Sequence, residues 1–236
     1  MIKSIIYTLT YIIFFIVVAI VLFINLAPQF GSNPSSEQKV FYDSFPNYSK
    51  GGFENFEATP MMTGEISTWD FFKEDSSRKP TSAILPKSIN FDSFAKTNSD
   101  YRLAWLGHSA FLINVMGKII LLDPMLGSHA APIPLPNLKR FNEVLPIKLD
   151  SVDRIDFVVI SHDHYDHLDY STIKLLKDKV SKFLAPHGIG NHLKKWGVKS
   201  NQIVELNWNE SFSAENIEFH CLPSRHFSGC LLYTSP

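Results

Sequence analysis

The longest apolar run in this chain lies near its N-terminus, where residues 5–26 carry no charge and are rich in isoleucine, phenylalanine, valine and leucine. About 20 apolar residues are enough to cross the hydrocarbon core of a bilayer as a helix. A cleaved signal peptide has a shorter apolar region and a small-residue cleavage site, whereas Ala27 is followed directly by Pro28. A buried core helix would need apolar partners on every side. The pattern therefore favours an uncleaved transmembrane anchor within residues 1–27.

Basic residues near the ends of this run indicate its orientation. Lys3 precedes the run, while Lys39 and Lys50 come well after it. Because basic residues favour the cytoplasmic side of a membrane, the asymmetry favours a cytoplasmic N-terminus. The rest of the chain would then lie on the extracytoplasmic side.

Hydrophobic periodicity is weak over residues 28–100. Residues 28–36 are rich in Pro, Ser, Gly and Asn and indicate a linker. Residues 37–100 contain many turn formers and no sustained helical or strand period. Disordered segments are poor in aromatic residues, so we predict an irregular extension that packs on the following domain. The aromatic residues on which this rests are Phe53, Phe56, Trp69, Phe71 and Phe72.

Residues 101–236 have a different pattern, in which short β-rich runs come first and strands then alternate with two helical segments. The helical segments are residues 169–179 and 189–196, and residues 155–161 resemble a strand buried on both faces. This order predicts a layered α/β domain. The other predicted strands are residues 102–106, 110–115, 118–123, 183–185, 203–206, 211–214 and 217–222.

Charge and composition exclude some functions. The formal net charge is −1, and nucleic-acid-binding domains usually carry a basic patch, so no nucleic-acid partner is expected. No Ser–His–Asp or Cys–His nucleophile pattern is evident, and there is no glycine-rich phosphate loop.

The densest group of metal-binding residue types is His162-x-His164-x-Asp166-His167, directly after the predicted buried strand. Zinc and related divalent metals take imidazole nitrogen and carboxylate oxygen. A loop leaving a strand can aim residues i and i+2 to one side, and a tight turn can aim residues i+4 and i+5 to another. One segment can therefore supply two ligands to each of two neighbouring metals. A polar loop of merely solvated histidines is the alternative, and it explains this spacing poorly.

The pattern H-x-H-x-D-H after a hydrophobic strand resembles the metal-binding motif of the metallo-β-lactamase superfamily. The resemblance implies an αββα sandwich and two divalent metal ions, with zinc favoured. It assigns His162 and His164 to the first metal, and Asp166 and His167 to the second. Asp166 would also orient the attacking water.

The same resemblance extends to two residues outside the loop. His226, after the predicted strand 217–222, matches a later histidine that completes the first metal. Asp123 matches an early aspartate that supports the site from behind. Such partners orient ligating histidines.

Further segments are similar to the N-acyl-phosphatidylethanolamine-hydrolysing phospholipase D-like branch of the superfamily, which implies a phosphodiesterase acting on N-acylated phospholipids. In that branch the tyrosine inside the metal motif contacts substrate, which gives Tyr165 a substrate-binding role. A packed aromatic on the loop is the alternative. The similar segments are residues 29–31, 46–48 and 52–55 in the extension and residues 105–112, 123–124, 164–169 and 223–229 in the domain.

The remaining histidines are interpreted as structural or exposed. His108 lies in a tight connection between strands, where an imidazole often braces the turn, and His187 could line the cleft. The others are His129, His192 and His220.

The resemblance implies two more metal ligands after His226, a bridging aspartate and a late histidine, and neither occurs up to Pro236. We therefore expect a truncated product in which residues 101–236 form only the N-terminal half of the sandwich. An apolar sheet face left uncovered in this way would lower stability.

Three functional hypotheses remain. The leading one is a membrane-anchored, metal-dependent hydrolase of phosphodiesters, with a phospholipid as substrate. The second is hydrolysis of a lactone or a cyclic phosphate ester. The third is a metal-binding fragment without turnover.

Overall fold

The computed structural model describes residues 2–58, 80–82, 84–96, 101–142, 144–214 and 216–228. Part of the predicted aromatic extension (Trp69, Phe71 and Phe72) and the segment that follows Ser228 lie outside these described residues.

The apolar N-terminal run forms one helix, α1 (Ile2–Leu26), with none of its residues buried against the protein. Its 25 residues span about 37 Å, longer than the roughly 30 Å hydrocarbon core of a bilayer. The hydroxyls of Thr8 and Thr10 and the amide of Asn25 each donate to the backbone carbonyl four residues earlier, so these polar groups are satisfied within the helix. Length and a mean hydropathy of 2.8 make α1 a candidate membrane span, although a signal sequence meets the same criteria.

The extension contains more regular structure than its sequence predicts. Helix α2 (Ser36–Tyr42) begins with a capping box in which Ser35 and Gln38 bond each other's backbone N–H groups. A short hairpin follows, with strands β1 (Tyr48–Ser49) and β2 (Gly52–Phe53), and helix α3 (Phe91–Ala95) lies just before the domain. These short elements are regular structure within a segment whose sequence predicts an irregular extension.

The segment after α1, which the sequence indicates as a linker, packs on the domain. The indole N–H of Trp196 donates to the carbonyl of Pro28 at 2.6 Å. The backbone N–H of Ser32 donates to Nδ1 of His192 at 2.9 Å. Gly31 has φ +71°, and a Cβ there would lie 2.0 Å from that Nδ1. Only glycine allows this close approach.

The domain is built on a six-stranded mixed sheet in the order β3-β4-β5-β6-β7-β8. Strands β3 to β5 form the predicted antiparallel meander, and β5 to β8 run parallel. The strands are β3 (Tyr101–Gly107), β4 (Ala110–Val115), β5 (Lys118–Leu122), β6 (Ile155–Val159), β7 (Val180–Pro186) and β8 (Ile203–Leu206).

This topology brings several loops to one edge of the sheet. The parallel strands β5 to β8 all end there, so the residues that follow each of them are neighbours. Strand β4 runs antiparallel to β5, and its first residues pair with the last residues of β5, as in Phe111 with Leu122. The turn between β3 and β4 therefore lies at the same edge.

Two helices cover one face of the sheet. Helix α4 (Tyr170–Leu176) is capped by Asp169 and buries Ile173 and Leu176. Helix α5 (Ile189–Lys195) buries Ile189 and Leu193. Burial of each such side chain contributes roughly 2 kcal/mol, and together they anchor the strand ends that carry the site.

A hairpin packs on the opposite face. Strands β9 (Ser211–Ala214) and β10 (Ile217–His220) place apolar side chains against Ile120, Phe157 and Leu184. The second face is therefore partly covered rather than bare. At edge strand β3 it stays open, because Tyr101, Leu103 and Trp105 are 58–71% exposed.

Candidate metal centre

Asp123 supports the loop after β6 that carries the metal motif. It follows β5 in a left-handed conformation (φ 41°) and is only 4% exposed. Its carboxylate accepts hydrogen bonds from the backbone N–H and the hydroxyl of Ser161, both at 2.7 Å. It also lies 2.9 Å from Nδ1 of His167. Asp123 therefore joins the end of β5 to the metal-motif loop after β6, which is the position that its supporting role requires.

The contact with Asp123 affects both the pKa and the orientation of the His167 ring. Burial lowers the pKa of His167, but the hydrogen bond and charge of Asp123, together with the charge of Asp166, outweigh burial and raise it. With Nδ1–H directed at Asp123, the ring can present its Nε2 lone pair on the opposite side.

Three imidazole rings converge in a first cluster, which consists of His162, His164 and His226. Nε2 of His226 lies 3.1 Å from Nε2 of His162 and 3.1 Å from Nδ1 of His164. Two ligands of a tetrahedral ion with metal–nitrogen bonds of 2.0–2.1 Å lie about 3.3 Å apart. The spacing of the three nitrogens therefore fits a common metal ion.

The electrostatics of the first cluster favour the neutral form of His162 and His164. Burial, followed by the neighbouring rings of His167, His164 and His226, lowers the pKa of His162 to about 4. Burial and the ring of His226 also lower the pKa of His164. Neutral imidazole is the form that binds metal, so His162 and His164 are in the form that can accept an ion near pH 7.

A second cluster consists of His108, Asp166 and His167. Oδ2 of Asp166 lies 2.7 Å from Nε2 of His108 and 3.7 Å from Nε2 of His167. Asp166 and His167 are the predicted ligands of the second metal. His108 is a site residue that the sequence interpretation missed, since it was counted among structural histidines.

The loop that carries His226 is held by the extension. The side-chain amide of Asn55 donates to the carbonyl of His226 at 3.0 Å and accepts from its backbone N–H at 3.4 Å. Next to it, Arg225 pairs with Glu57. On the domain side, Ser228 donates to the buried carboxylate of Asp163. The extension therefore takes part in placing one of the predicted metal ligands.

A cavity of ≈ 1210 Å³ lies between the extension and the domain, with His162 and His226 in its wall. His187 also lines it, as the sequence suggested, and stacks on Phe45 with ring centroids 4.9 Å apart. The volume is sufficient for a ligand of drug size or larger.

Tyr165 does not line this cavity in the structure. Its ring is 4% exposed and belongs to the main hydrophobic core, and burial raises the pKa of its hydroxyl. Its position favours the packing interpretation over the substrate contact that the resemblance implied.

The sheet mixes parallel and antiparallel strands, helices cover one face, and two groups of imidazole and carboxylate side chains lie at one edge. These features are typical of a metal-binding α/β domain. Residues 118–234 match the family model of the beta-lactamase superfamily domain. The chain thus carries a domain of the metallo-β-lactamase superfamily.

Individual relatives agree with this family. The chain is 35% identical over 208 residues to an uncharacterised protein of Mycobacterium tuberculosis. The aligned residues cover 86% of this chain and 55% of the relative. It is 33% identical over 161 residues to N-acyl-phosphatidylethanolamine-hydrolyzing phospholipase D 1 of Caenorhabditis elegans, covering 64% and 45%. A metal-dependent hydrolase of Caldivirga maquilingensis is 39% identical over 127 residues, covering 53% and 49%. The chain spans about half the length of these curated relatives.

Proposed function

We propose that the protein is a membrane-anchored, metal-dependent hydrolase that cleaves phosphodiesters, with N-acylated phospholipids as its substrates. The observation that supports this best is the convergence of two groups of metal-binding side chains, the first of which lines a large cavity through His162 and His226. Metal-dependent hydrolysis is the activity named for relatives of this domain.

The predicted ligands fall into two sets, one for each metal ion. His162, His164 and His226 would hold one divalent ion, and Asp166 and His167 the second, with Zn²⁺ the ion that suits these donors best. Two such ions supply Lewis acidity, which acidifies a water molecule and stabilises negative charge on oxygen.

Asp166 has the catalytic role among these residues. Its carboxylate is 31% exposed and faces His108, so it can accept a hydrogen bond from the attacking water and direct the water at phosphorus. The water oxygen loses a proton and forms the new bond to phosphorus, the bond between phosphorus and the ethanolamine oxygen breaks, and that oxygen leaves with a proton. The products are phosphatidic acid and an N-acylethanolamine.

A phospholipid substrate is supported by two observations. One relative, which is 33% identical over 161 residues, is named as a phospholipase D that hydrolyses N-acyl phosphatidylethanolamine. In addition, only Ala27 separates α1 from the docked segment that begins at Pro28, and Phe30 is buried in the domain. If α1 spans the bilayer, this short connection holds the cavity close to the lipid surface. The charge pattern around α1 favours a location of the domain on the extracytoplasmic side of the membrane.

The test is turnover of purified full-length protein in detergent–phospholipid micelles that contain N-acyl phosphatidylethanolamine. We expect phosphatidic acid and N-acylethanolamine in equal amounts, measured by mass spectrometry, and loss of both after Zn²⁺ is removed by a chelator. A homoserine lactone is assayed in parallel. Turnover of the lactone alone would contradict the phosphodiesterase assignment, and no turnover of either substrate by metal-loaded protein would favour a fragment without activity.

A further inference from the structure

His108 sits in a backbone conformation that has to be held in place. It lies in the two-residue turn between β3 and β4 with φ 48°, directly after Gly107 at φ 114°. Residues other than glycine adopt this region rarely, and such residues cluster at functional sites. The indole N–H of Trp105 donates to the carbonyl of His108 at 2.7 Å and fixes the turn.

The imidazole of His108 is not a core residue. Its side chain is 52% exposed, and its Nε2 lies 2.7 Å from Oδ2 of Asp166. The ring of His167 is adjacent, with centroids 5.3 Å apart. The turn thus directs the imidazole at the one carboxylate of the metal motif that serves both as a metal ligand and as the catalytic group in the proposed function.

Distances distinguish a hydrogen-bond donor from a metal ligand. Two ligands that share a tetrahedral ion lie about 3.3 Å apart, and the nitrogens of the first cluster, at 3.1 Å, come close to this value. The 2.7 Å between His108 and Asp166 is shorter and is typical of a charge-assisted hydrogen bond.

We propose that His108 is a positioning residue, whose Nε2–H donates to Asp166 and holds that carboxylate in the orientation that binds the second metal. This inference rests on the proposed metal centre but adds a role that the metal motif does not contain. A hydrogen bond of this kind fixes a ligand before the metal arrives, and loss of such a partner typically lowers metal affinity by about 10–100-fold.

The test compares His108→Ala with His108→Gln in full-length protein. Glutamine retains an N–H donor but is a poor zinc ligand. Affinity for the second Zn²⁺ is measured by competition with a chromophoric chelator. We expect His108→Ala to weaken it at least tenfold, and His108→Gln to stay within about threefold of wild type. The matched control is His220→Ala, since His220 is 57% exposed and lies 3.3 Å from Glu218, away from the site; it should bind as wild type does.

Equal loss in both His108 variants would show that His108 is a ligand, and no loss in either would show that it has no part in metal binding; each result overturns the proposal. A second readout needs no metal. Imidazole ¹⁵N–¹H spectra, assigned with the His108→Gln variant, should show the proton on Nε2. A proton on Nδ1 instead would contradict the hydrogen bond. If wild type takes up no Zn²⁺, the proposed metal centre is wrong. These spectra would still test whether His108 donates a hydrogen bond to Asp166.

Discussion

Asp123 is the single residue that connects most parts of the metal centre. It joins the end of β5 to Ser161 and His167 through three hydrogen bonds, and it is almost completely buried. A buried carboxylate is costly unless its oxygens are all paired, so the loop and the carboxylate stabilise each other.

Replacing Asp123 with Asn should therefore impair both stability and metal binding. Asparagine has one acceptor oxygen instead of two, so it cannot accept from both the Ser161 backbone N–H and Nδ1–H of His167, and one of these donors loses its partner. We expect a loss of about 2 kcal/mol in the free energy of unfolding, measured by urea denaturation, and at least tenfold weaker binding of the second Zn²⁺. Asp178→Asn is the control, because that carboxylate is 72% exposed and pairs with Lys177, away from the site. Equal stability of the two variants would refute the supporting role of Asp123.

His192 gives a pH dependence to the contact between the extension and the domain. Burial lowers the pKa of His192 from its ordinary 6.5 to about 4. The unfolded chain therefore binds the proton more readily than the folded protein does. Above pH 6.5, His192 is neutral in both states and does not reduce the free energy of unfolding. As the pH falls from 6.5 towards 4, the free energy of unfolding falls by up to about 3 kcal/mol.

Unfolding of chelator-treated protein at pH 7.5, 6, 5 and 4 measures this effect. His192→Asn keeps an acceptor for the Ser32 N–H but does not titrate in this range, so its stability should fall less steeply than that of wild type. Parallel pH profiles for the two proteins would show that His192 does not contribute.

At the level of elements, the strands were predictable and the extension was not. The runs at residues 110–115, 203–206 and 211–214 coincide with β4, β8 and β9, because alternating or continuous apolar residues bounded by turns are a local signal. Helix α2 has only seven residues, too few for a periodic pattern, and its capping box at Ser35 and Gln38 was the one local signal.

The same distinction applies to the site. The spacing of His162, His164, Asp166 and His167 is local, so the motif alone indicated it. His108 could be found only after the order β3-β4-β5 was known, since that order brings the first turn of the meander to the edge where the metal motif lies. The contact between Asn55 and His226 joins residues 171 positions apart, and no local pattern predicts it.

The extension should therefore influence the metal centre through Asn55. In the Asn55→Ala variant, the backbone of His226 loses a donor and an acceptor, and we expect the first Zn²⁺ to bind roughly fivefold more weakly, the equivalent of about one hydrogen bond. Chelator competition measures this. The control is Asn142→Ala, because the side chain of Asn142 donates to the nearby carbonyl of Val144. Unchanged affinity for the first Zn²⁺ in Asn55→Ala would mean that the extension only covers the site.

For the whole molecule, α1 and the domain are expected to act as an anchored unit. Full-length protein expressed in bacteria should remain in the membrane pellet after alkaline carbonate washing, because insertion of a 25-residue apolar helix is effectively irreversible. Deletion of residues 2–26 should move the protein to the supernatant. A mature protein whose N-terminus begins after α1, detected by mass spectrometry, would show instead that α1 is a signal sequence.

The most direct test of the metal centre is the zinc content of wild type and the His164→Ala variant. His164 supplies one of the three converging nitrogens, at 3.1 Å from Nε2 of His226, and its loss leaves the first ion with two ring ligands. Elemental analysis after exhaustive dialysis should show about one Zn²⁺ per chain fewer in the variant than in wild type. Equal zinc content in the two proteins would contradict the assignment of this cluster as a metal site.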